Sequence, residues 1–359
     1  MKFKKYRKNK KKLLNSYEYS SNKYKLDQKG IFRIRLNHLK TIKAKKTLLF
    51  LSGIFSISII SSFLIIFGIT KTKKPPLKEN KIKVCLCSIG KEENLYIKEF
   101  VSHYKKIGYD NIFIYDNNDI NGEKFEDVLQ NEINEGLVSI INYRGYHNSQ
   151  LKSYFDCYEK NNHKCNWLSF FDIDEFLEIN PPNLTVQEFL SNDRFNKCNN
   201  VKLNWVSYYN DSDILYYENR PVQERFKNFT ESKHIKSTIR GNLTFNYWNM
   251  AKNPHTSMNN VSSCSGSGYL IDPNSPFNIP PDITYAKIKH YHKKSFEEYC
   301  IKIKRAKPYY SQTTIMKSKQ FARNFYLENK NNKEKLEIMR KIFGPNINNF
   351  IFNLYKYNN

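Results

Sequence analysis

The chain has 359 residues, a formal net charge of +25 and a hydrophobic content of 40%, which allows one or two domains with a sizeable core. Residues 1–46 hold 17 Lys and Arg against only Glu18 and Asp27, so +15 of the charge lies there and +10 is spread over the remainder. Because the charge is concentrated in one terminal segment, it disfavours direct nucleic-acid binding as the main function.

The first element along the chain is an uncharged apolar segment at residues 47–69. As a helix it is long enough to cross the hydrocarbon core of a bilayer, roughly 30 Å. A cleaved signal peptide is the alternative, but that would have a short basic lead and a small-residue cleavage site. The long basic lead predicts that residues 1–46 are a cytosolic tail. We therefore expect a single-pass signal anchor in the lipid bilayer, a linker at 70–81, and a lumenal bulk in the Golgi or ER.

Two features beyond residue 81 are typical of a lumenal location. All seven cysteines lie there without the spacing of a zinc site, so disulfides are permitted and the odd count leaves one thiol over. Cys157 and Cys165 are the closest plausible pair, although the sequence alone does not fix the pairing. Five acceptor motifs for N-glycosylation lie there too, at Asn183, Asn210, Asn228, Asn242 and Asn260.

Strand-like and helix-like segments then alternate along the chain. The predicted strands are 81–89, 111–115, 137–143 and 167–171. The predicted helices between them are 95–107, 123–134 and 150–160, and further helices follow at 295–307, 314–328 and 331–342. Such alternation is typical of an α/β fold, in which a parallel sheet is covered by helices and ligands bind beyond the carboxyl ends of the strands. Polar residues follow the first, second and fourth strands, so they are expected at that edge.

The fourth strand leads directly into three acids, Asp172, Asp174 and Glu175. If the chain stays extended, Asp172 and Asp174 project on the same side. Two converging carboxylates can hold Mg²⁺ or Mn²⁺, because both ions prefer oxygen ligands. The alternative is a surface turn whose acids are solvated.

Several motifs resemble glycosyltransferase family 92 and its relatives in family 2, over residues 82–305. The matching segments are Lys91-Glu92-Glu93, Tyr115-Asp116-Asn117, Trp167-Leu168, Phe171-Asp172-Ile173-Asp174-Glu175-Phe176, His290-Tyr291 and Lys294-Ser295. Glu92 replaces the usual Asn of the family and Phe100 the usual Trp. The resemblance implies a GT-A fold, which has a Rossmann-like mixed sheet, at residues 82–310, followed by a helical extension at 311–359.

The same resemblance implies a membrane-anchored, inverting glycosyltransferase that depends on Mn²⁺ or Mg²⁺. The implied donor is a nucleotide-sugar, with UDP-galactose suggested by family members, and the implied acceptor is a glycan or glycoprotein. The alternative is a catalytically inactive protein of the same fold that binds carbohydrate or acts as a scaffold. The retained D-x-D motif argues against that loss of activity.

Roles follow for individual residues. The predicted metal ligands are Asp174, Asp172 (which alternatively holds the donor ribose) and His290, with His292 and His255 as substitutes for the histidine. The predicted donor-binding residues are Glu93 and Asp116, although Asp116 can instead cap a turn. The predicted partners of the diphosphate are Lys236 and Arg240, since cations accompany phosphates, although both can be solvated instead. The candidate bases for the acceptor hydroxyl are Glu224, Asp211 and Asp213.

Overall fold

A computed structural model describes residues 82–146, 149–209, 214–244, 253–256, 259–305 and 312–346, with the backbone alone at 312–319. The predicted tail 1–46, membrane segment 47–69 and linker 70–81 lie outside the described residues. Among the helices that are described, none combines the length and apolar character needed to cross a bilayer.

A mixed sheet lies at the centre of the described part. Its ten strands are β1 Val84–Gly90, β2 Asn111–Asp116, β3 Val138–Asn142, β4 Trp167–Phe170, β5 Glu175–Ile179, β6 Asn200–Tyr208, β7 Phe229–Arg240, β8 Ser263–Ser265, β9 Leu270–Ile271 and β10 Ala286–His290. The strand order is β3-β2-β1-β4-β7-β6-β10-β5, with β8 beside β6 and β9 beside β8. Strands β1 to β4 are parallel to one another, as the alternation predicts, whereas β7 runs antiparallel to β4 and β6.

The helices cover this sheet or follow it. They are α1 Asn94–Lys106, α2 Glu126–Asn134, α3 Ser149–Asn161, α4 Val186–Leu190, α5 Val222–Arg225, α6 Phe296–Lys304, α7 Gln312–Asn329 and α8 Lys333–Phe343, with a 3₁₀ turn at Asp193–Phe195. Because alternate residues of β1 point to opposite faces, Val84 and Leu86 pack with α1, and Cys85 and Cys87 lie on the α3 side. Both faces of this central strand are therefore buried, which explains its continuous apolar sequence.

The acidic motif does not continue the fourth strand as predicted. Strand β4 ends at Phe170, and the Glu175 amide donates a 3.0 Å hydrogen bond to the Asp172 carbonyl, closing a turn. The turn is needed because β5 pairs with β10 and not with β4. The simple alternation of Asp172 and Asp174 along an extended strand is therefore wrong.

The disulfides also differ from the suggested pair. Cys85 bonds to Cys165, Cys87 to Cys157 and Cys198 to Cys264, while Cys300 keeps a buried free thiol. The Cys157–Cys165 pairing is wrong because Cys85 and Cys87, two residues apart on β1, face the same side of the sheet and meet both partners there.

Candidate active site

Three buried side chains meet at the turn after β4: Asp174, Glu175 and His290. One ligand atom from each lies within 4.8 Å of the others. Glu175 begins β5 and His290 ends β10, and the two are direct partners across these antiparallel strands, so their side chains share a face. The Tyr291 amide donates a 2.9 Å hydrogen bond to the Asp174 carbonyl, which fixes the turn against β10. Two carboxylates and one imidazole form a donor set that suits a divalent transition metal such as Mn²⁺.

Glu175 contributes an oxygen that the protein leaves unused. Its Oε2 accepts a hydrogen bond from the Asp172 amide at 3.0 Å and lies 3.3 Å from Lys236 Nζ, but its buried Oε1 has no hydrogen-bond partner among the described residues. Burial raises the pKa of the Glu175 carboxyl well above its usual range despite the nearby ammonium. A buried carboxyl oxygen without a partner is costly, and a bound cation would remove that cost and favour the ionised form of Glu175. The sequence analysis gave this residue no metal-binding role.

Asp174 has a charged environment. Its Oδ1 lies 3.5 Å from His290 Nε2, and its Oδ2 accepts a 2.7 Å hydrogen bond from Lys302 Nζ on α6. Burial raises the pKa of the Asp174 carboxyl, but Lys302, His290 and Lys294 together hold it well below its usual value. Asp174 is therefore a carboxylate at neutral pH.

Asp172 is a neighbour of Asp174, Glu175 and His290 but is not one of the three clustered ligands. Its Oδ1 accepts hydrogen bonds from Gln150 Nε2 at 2.7 Å and Tyr154 Oη at 2.8 Å, and its Oδ2 accepts one from Lys236 Nζ at 2.9 Å. Burial raises the pKa of its carboxyl, but Lys236 outweighs that effect and the net shift is downward. Its side chain is 29% exposed. Asp172 is thus held in place by α3 and β7, with an edge left open to a ligand.

The two cations predicted to contact the diphosphate have different surroundings. Lys236 has a fully buried side chain between Asp172 and Glu175. Arg240 is four residues further along β7, where it is paired with Trp167 at the start of β4. Its guanidinium donates hydrogen bonds to the Cys198 and Phe195 carbonyls. The structure therefore brings Lys236 to the acidic motif and places Arg240 beside the start of β4.

Asp116 organises the loop that follows β2. Its Oδ1 accepts hydrogen bonds from the Asn118 amide and Asn118 Nδ2, and its Oδ2 lies 2.6 Å from Arg144 Nη1. Only 1% of the residue is exposed. Both oxygens of Asp116 are thus engaged within the protein, as the turn-capping alternative requires.

The histidines named as substitutes lie near His290 with other partners. Trp205 is the centre of this aromatic group, with its ring centroid 4.2 Å from that of His290 and 4.7 Å from that of His255. His255 Nδ1 lies 3.2 Å from the Ile235 carbonyl, and burial lowers the pKa of this imidazole to about 4. The His292 carbonyl accepts a hydrogen bond from Lys302. His290 is therefore the candidate that the described residues group with two acids.

Of the three candidate bases, the structure describes Glu224, which lies away from the group of Asp174, Glu175 and His290. Glu224 is exposed and lines a cleft of about 600 Å³ together with His103, Gln223 and Lys289. None of the residues lining that cleft belongs to the Asp174, Glu175 and His290 group. Asp211 and Asp213 lie outside the described residues.

Helix α6 adds cations that the sequence analysis missed. Lys302 reaches Asp174, and Arg305 Nη2 lies 2.6 Å from Glu93 Oε1, which brings Glu93 to the same edge. The helix is held by a buried ion pair, in which Arg225 Nη1 donates to Glu298 Oε2 at 2.7 Å. Glu298, Lys302 and Arg305 follow at i, i+4 and i+7, so helical spacing was a signal that could have identified this face.

Comparisons with known proteins agree on one family. The family model described as Glycosyltransferase family 92 matches residues 80–333. A glycosyltransferase family 92 protein of Oryza sativa subsp. japonica is 32% identical over 110 residues, which are 30% of this chain and 18% of that protein. One of Ricinus communis is 27% identical over 123 residues, 34% of this chain and 22% of the relative. The chain thus spans about a fifth of the length of the curated relatives it matches.

The mannosyltransferase PcManGT of Pyrobaculum calidifontis, in complex with GDP-Man and Mn²⁺, is 8% identical with a TM-score of 0.36. The comparison covers 63% of this chain and 62% of the mannosyltransferase.

Proposed function

The chain belongs to glycosyltransferase family 92, and on that premise we propose that it transfers a sugar from a nucleotide-sugar donor to a glycan acceptor. The proposed donor is a UDP-sugar, with UDP-galactose as the first candidate, and the proposed metal is Mn²⁺. The fold proposed for residues 82–310 is GT-A, to which the parallel strands β1 to β4 and the mixed remainder of the sheet correspond.

The observation that carries this proposal is the group of Asp174, Glu175 and His290. All three are buried, their ligand atoms lie within 4.8 Å of one another, and Glu175 Oε1 accepts no hydrogen bond from the part of the chain that the structure describes. These residues fit a divalent cation and would hold it at this edge of the sheet. When bound, such an ion neutralises charge on a departing diphosphate without a proton transfer.

The neighbouring residues would bind and orient the donor. Gln150 and Tyr154 fix Asp172 from one side and Lys236 fixes it from the other, so its open edge can accept a hydrogen bond from a ribose hydroxyl. Inverting transfer also requires a base near the acceptor hydroxyl. Because Glu224 lies on another cleft, we propose Asp211 for this role.

The regions on either side of the proposed catalytic domain keep their predicted roles in this proposal. Residues 47–69 would anchor the protein in the lipid bilayer, with residues 1–46 in the cytosol and the catalytic domain in the lumen of the Golgi or ER. The extension 311–359 would support the catalytic domain, since Ile338 and Met339 of α8 pack against Cys300 of α6 in one buried cluster.

A donor screen tests the proposed function. The purified full-length chain in detergent is given UDP-galactose, UDP-glucose, UDP-N-acetylglucosamine and GDP-mannose with mixed glycan acceptors, and product mass is measured with Mn²⁺ or with EDTA. We expect transfer from one donor that EDTA abolishes. A protein that binds glycans but transfers no sugar from any donor would instead be the carbohydrate-binding or scaffold alternative.

A further inference from the structure

Three cations on the segment from the end of β10 to the residue after α6 face two acids from other parts of the chain. Lys302 Nζ lies 2.7 Å from Asp174 Oδ2, and Arg305 Nη2 lies 2.6 Å from Glu93 Oε1. Lys294 Nζ is 3.9 Å from Glu93 Oε2. Together these three cations and two acids form a cluster that we call the basic pocket.

The positive charge of Lys294 has only a distant carboxylate and an aromatic ring as partners in the part of the chain that the structure describes. Only 6% of its side chain is exposed, and beyond the 3.9 Å pair its ammonium faces the Tyr96 ring at 3.7 Å. Among the described residues no acceptor lies within hydrogen-bond distance of this ammonium, and the backbone at Lys294 has φ of +53°. Poor hydration of an ammonium that lacks a close hydrogen-bond acceptor and a left-handed backbone both cost free energy. An anionic ligand at this pocket would compensate for the first cost.

Lys302 is bound to a carboxylate that the proposed metal needs. Its ammonium contacts Asp174 Oδ2 and donates a second hydrogen bond to the His292 carbonyl at 3.1 Å. A divalent cation held by Asp174 would repel an ammonium at that distance, because like charges about 4 Å apart interact by several kcal/mol near a protein surface. The side chain of Lys302 is 20% exposed, so it has room to leave. Arg305 is fixed more firmly, by the Lys91 and Glu92 carbonyls as well as by Glu93.

We propose that Lys302 is an exchangeable cation that neutralises Asp174 in the ligand-free protein and moves to the donor's diphosphate when the metal binds. This inference rests on the proposed function. It identifies Lys302 and Lys294 as the two ammonium groups that would contact the departing nucleoside diphosphate. Lys302 then weakens the binding of the metal alone and strengthens that of the nucleotide. Metal and nucleotide therefore bind cooperatively, and the coupling is reciprocal.

The experiment measures Mn²⁺ and UDP binding separately, so its readout does not depend on turnover. Free Mn²⁺ is counted by electron paramagnetic resonance over the full-length chain in detergent, with and without UDP. We expect Lys302→Met to bind Mn²⁺ alone at least about fivefold more tightly than the wild type and UDP with Mn²⁺ at least about fivefold more weakly, the low end of typical coupling. Lys302→Arg keeps the charge and should bind Mn²⁺ alone as the wild type does.

Lys304→Met is the matched control, because Lys304 lies on the same helix and is exposed. It should leave both affinities unchanged. Circular dichroism melts show that each variant is folded under the assay conditions. If the wild type binds Mn²⁺ and UDP but Lys302→Met changes neither affinity, or weakens both, Lys302 is a structural partner of Asp174 and this inference is overturned. If the wild type binds neither, the proposed function fails together with it.

Discussion

At the scale of single residues, Glu175 occupies a position in the acidic motif that the sequence did not predict. A D-x-D pattern draws attention to its two aspartates, yet the described structure joins Glu175 to Asp174 and His290. The cause is local, since the turn at Asp172 carries the chain away from β4 and brings Glu175 opposite His290. Which of the two acids joins Asp174 depends on one turn and on a strand pairing distant in sequence, and neither has a local sequence signal.

The Asp174→Asn variant tests the electrostatics of this turn. The pKa of the Asp174 carboxyl is held well below its usual value by the cations around it, so its charge stabilises the folded state at neutral pH. We expect the variant without metal to be less stable by about 1–3 kcal/mol, because Lys302 loses its partner. Thermal unfolding with and without Mn²⁺ measures this.

Mn²⁺ should also stabilise Asp174→Asn less than it stabilises the wild type. In the wild type, Mn²⁺ at about 100 times its Kd should add about 2.7 kcal/mol to the free energy of unfolding, and the variant should lose most of that gain. Asp119→Asn is the control, because Asp119 is an exposed acid that pairs with Lys91 at the same edge of the sheet. Equal stabilisation of Asp174→Asn and wild type by Mn²⁺ would remove Asp174 from the metal site.

At the scale of elements, α6 brings its cations to the site because one buried ion pair docks it. Glu298 contacts Arg225 of α5 through two hydrogen bonds and accepts another from Tyr96 Oη of α1. Ser295 caps the same helix, with its side chain accepting from the Glu298 amide. The direction of α6, and so the position of Lys302, depends on this junction.

The pH dependence of stability should report on Glu298. Burial raises the pKa of this carboxyl, but the hydrogen bonds from Arg225 and Ser295 lower it to about 2 overall. Its unfolded pKa is about 4.3, so its contribution is complete above that pH and is lost as pH falls toward 2. Glu298→Gln should cost about 3 kcal/mol at pH 7, since it leaves Arg225 without a partner. Urea unfolding from pH 7 to pH 2 should show this gap closing below pH 4.

The exposed Glu337 of α8 provides the control. Glu337→Gln should track the wild type across the same pH range. A gap between Glu298→Gln and wild type that stays constant down to pH 2 would mean that the carboxylate at Glu298 is not the stabilising form.

The regular elements followed from sequence more closely than the connections did. The periodicity over 95–107 predicts a helix that the structure places at Asn94–Lys106, because apolar spacing is a local property. The pairing of β10 with β5 and the insertion of β7 between β4 and β6 have no local signal. These long-range pairings decide which side chains meet, which is why Arg240 was expected at the site but lies beside the start of β4.

At the scale of the whole molecule, glycosylation tests the proposed lumenal location. Asn183, Asn228, Asn242 and Asn260 are all exposed, as an acceptor asparagine must be, and Asn210 lies outside the described residues. We expect protein from a glycosylating eukaryotic host to gain gel mobility after treatment with a glycan-removing enzyme. A variant with all five asparagines changed to Gln is the control and should not shift. Unshifted wild-type protein from that host would contradict lumenal exposure.

The central claim is that Asp174, Glu175 and His290 hold the divalent cation of a glycosyltransferase. Crystals of the protein soaked with Mn²⁺ and UDP, and measured for anomalous scattering of manganese, test it most directly. We expect one strong peak within coordination distance of all three side chains, with the UDP diphosphate beside Lys294 and Lys302. A manganese peak on Asp172 without Glu175, or no peak at this turn while UDP is bound, would contradict it.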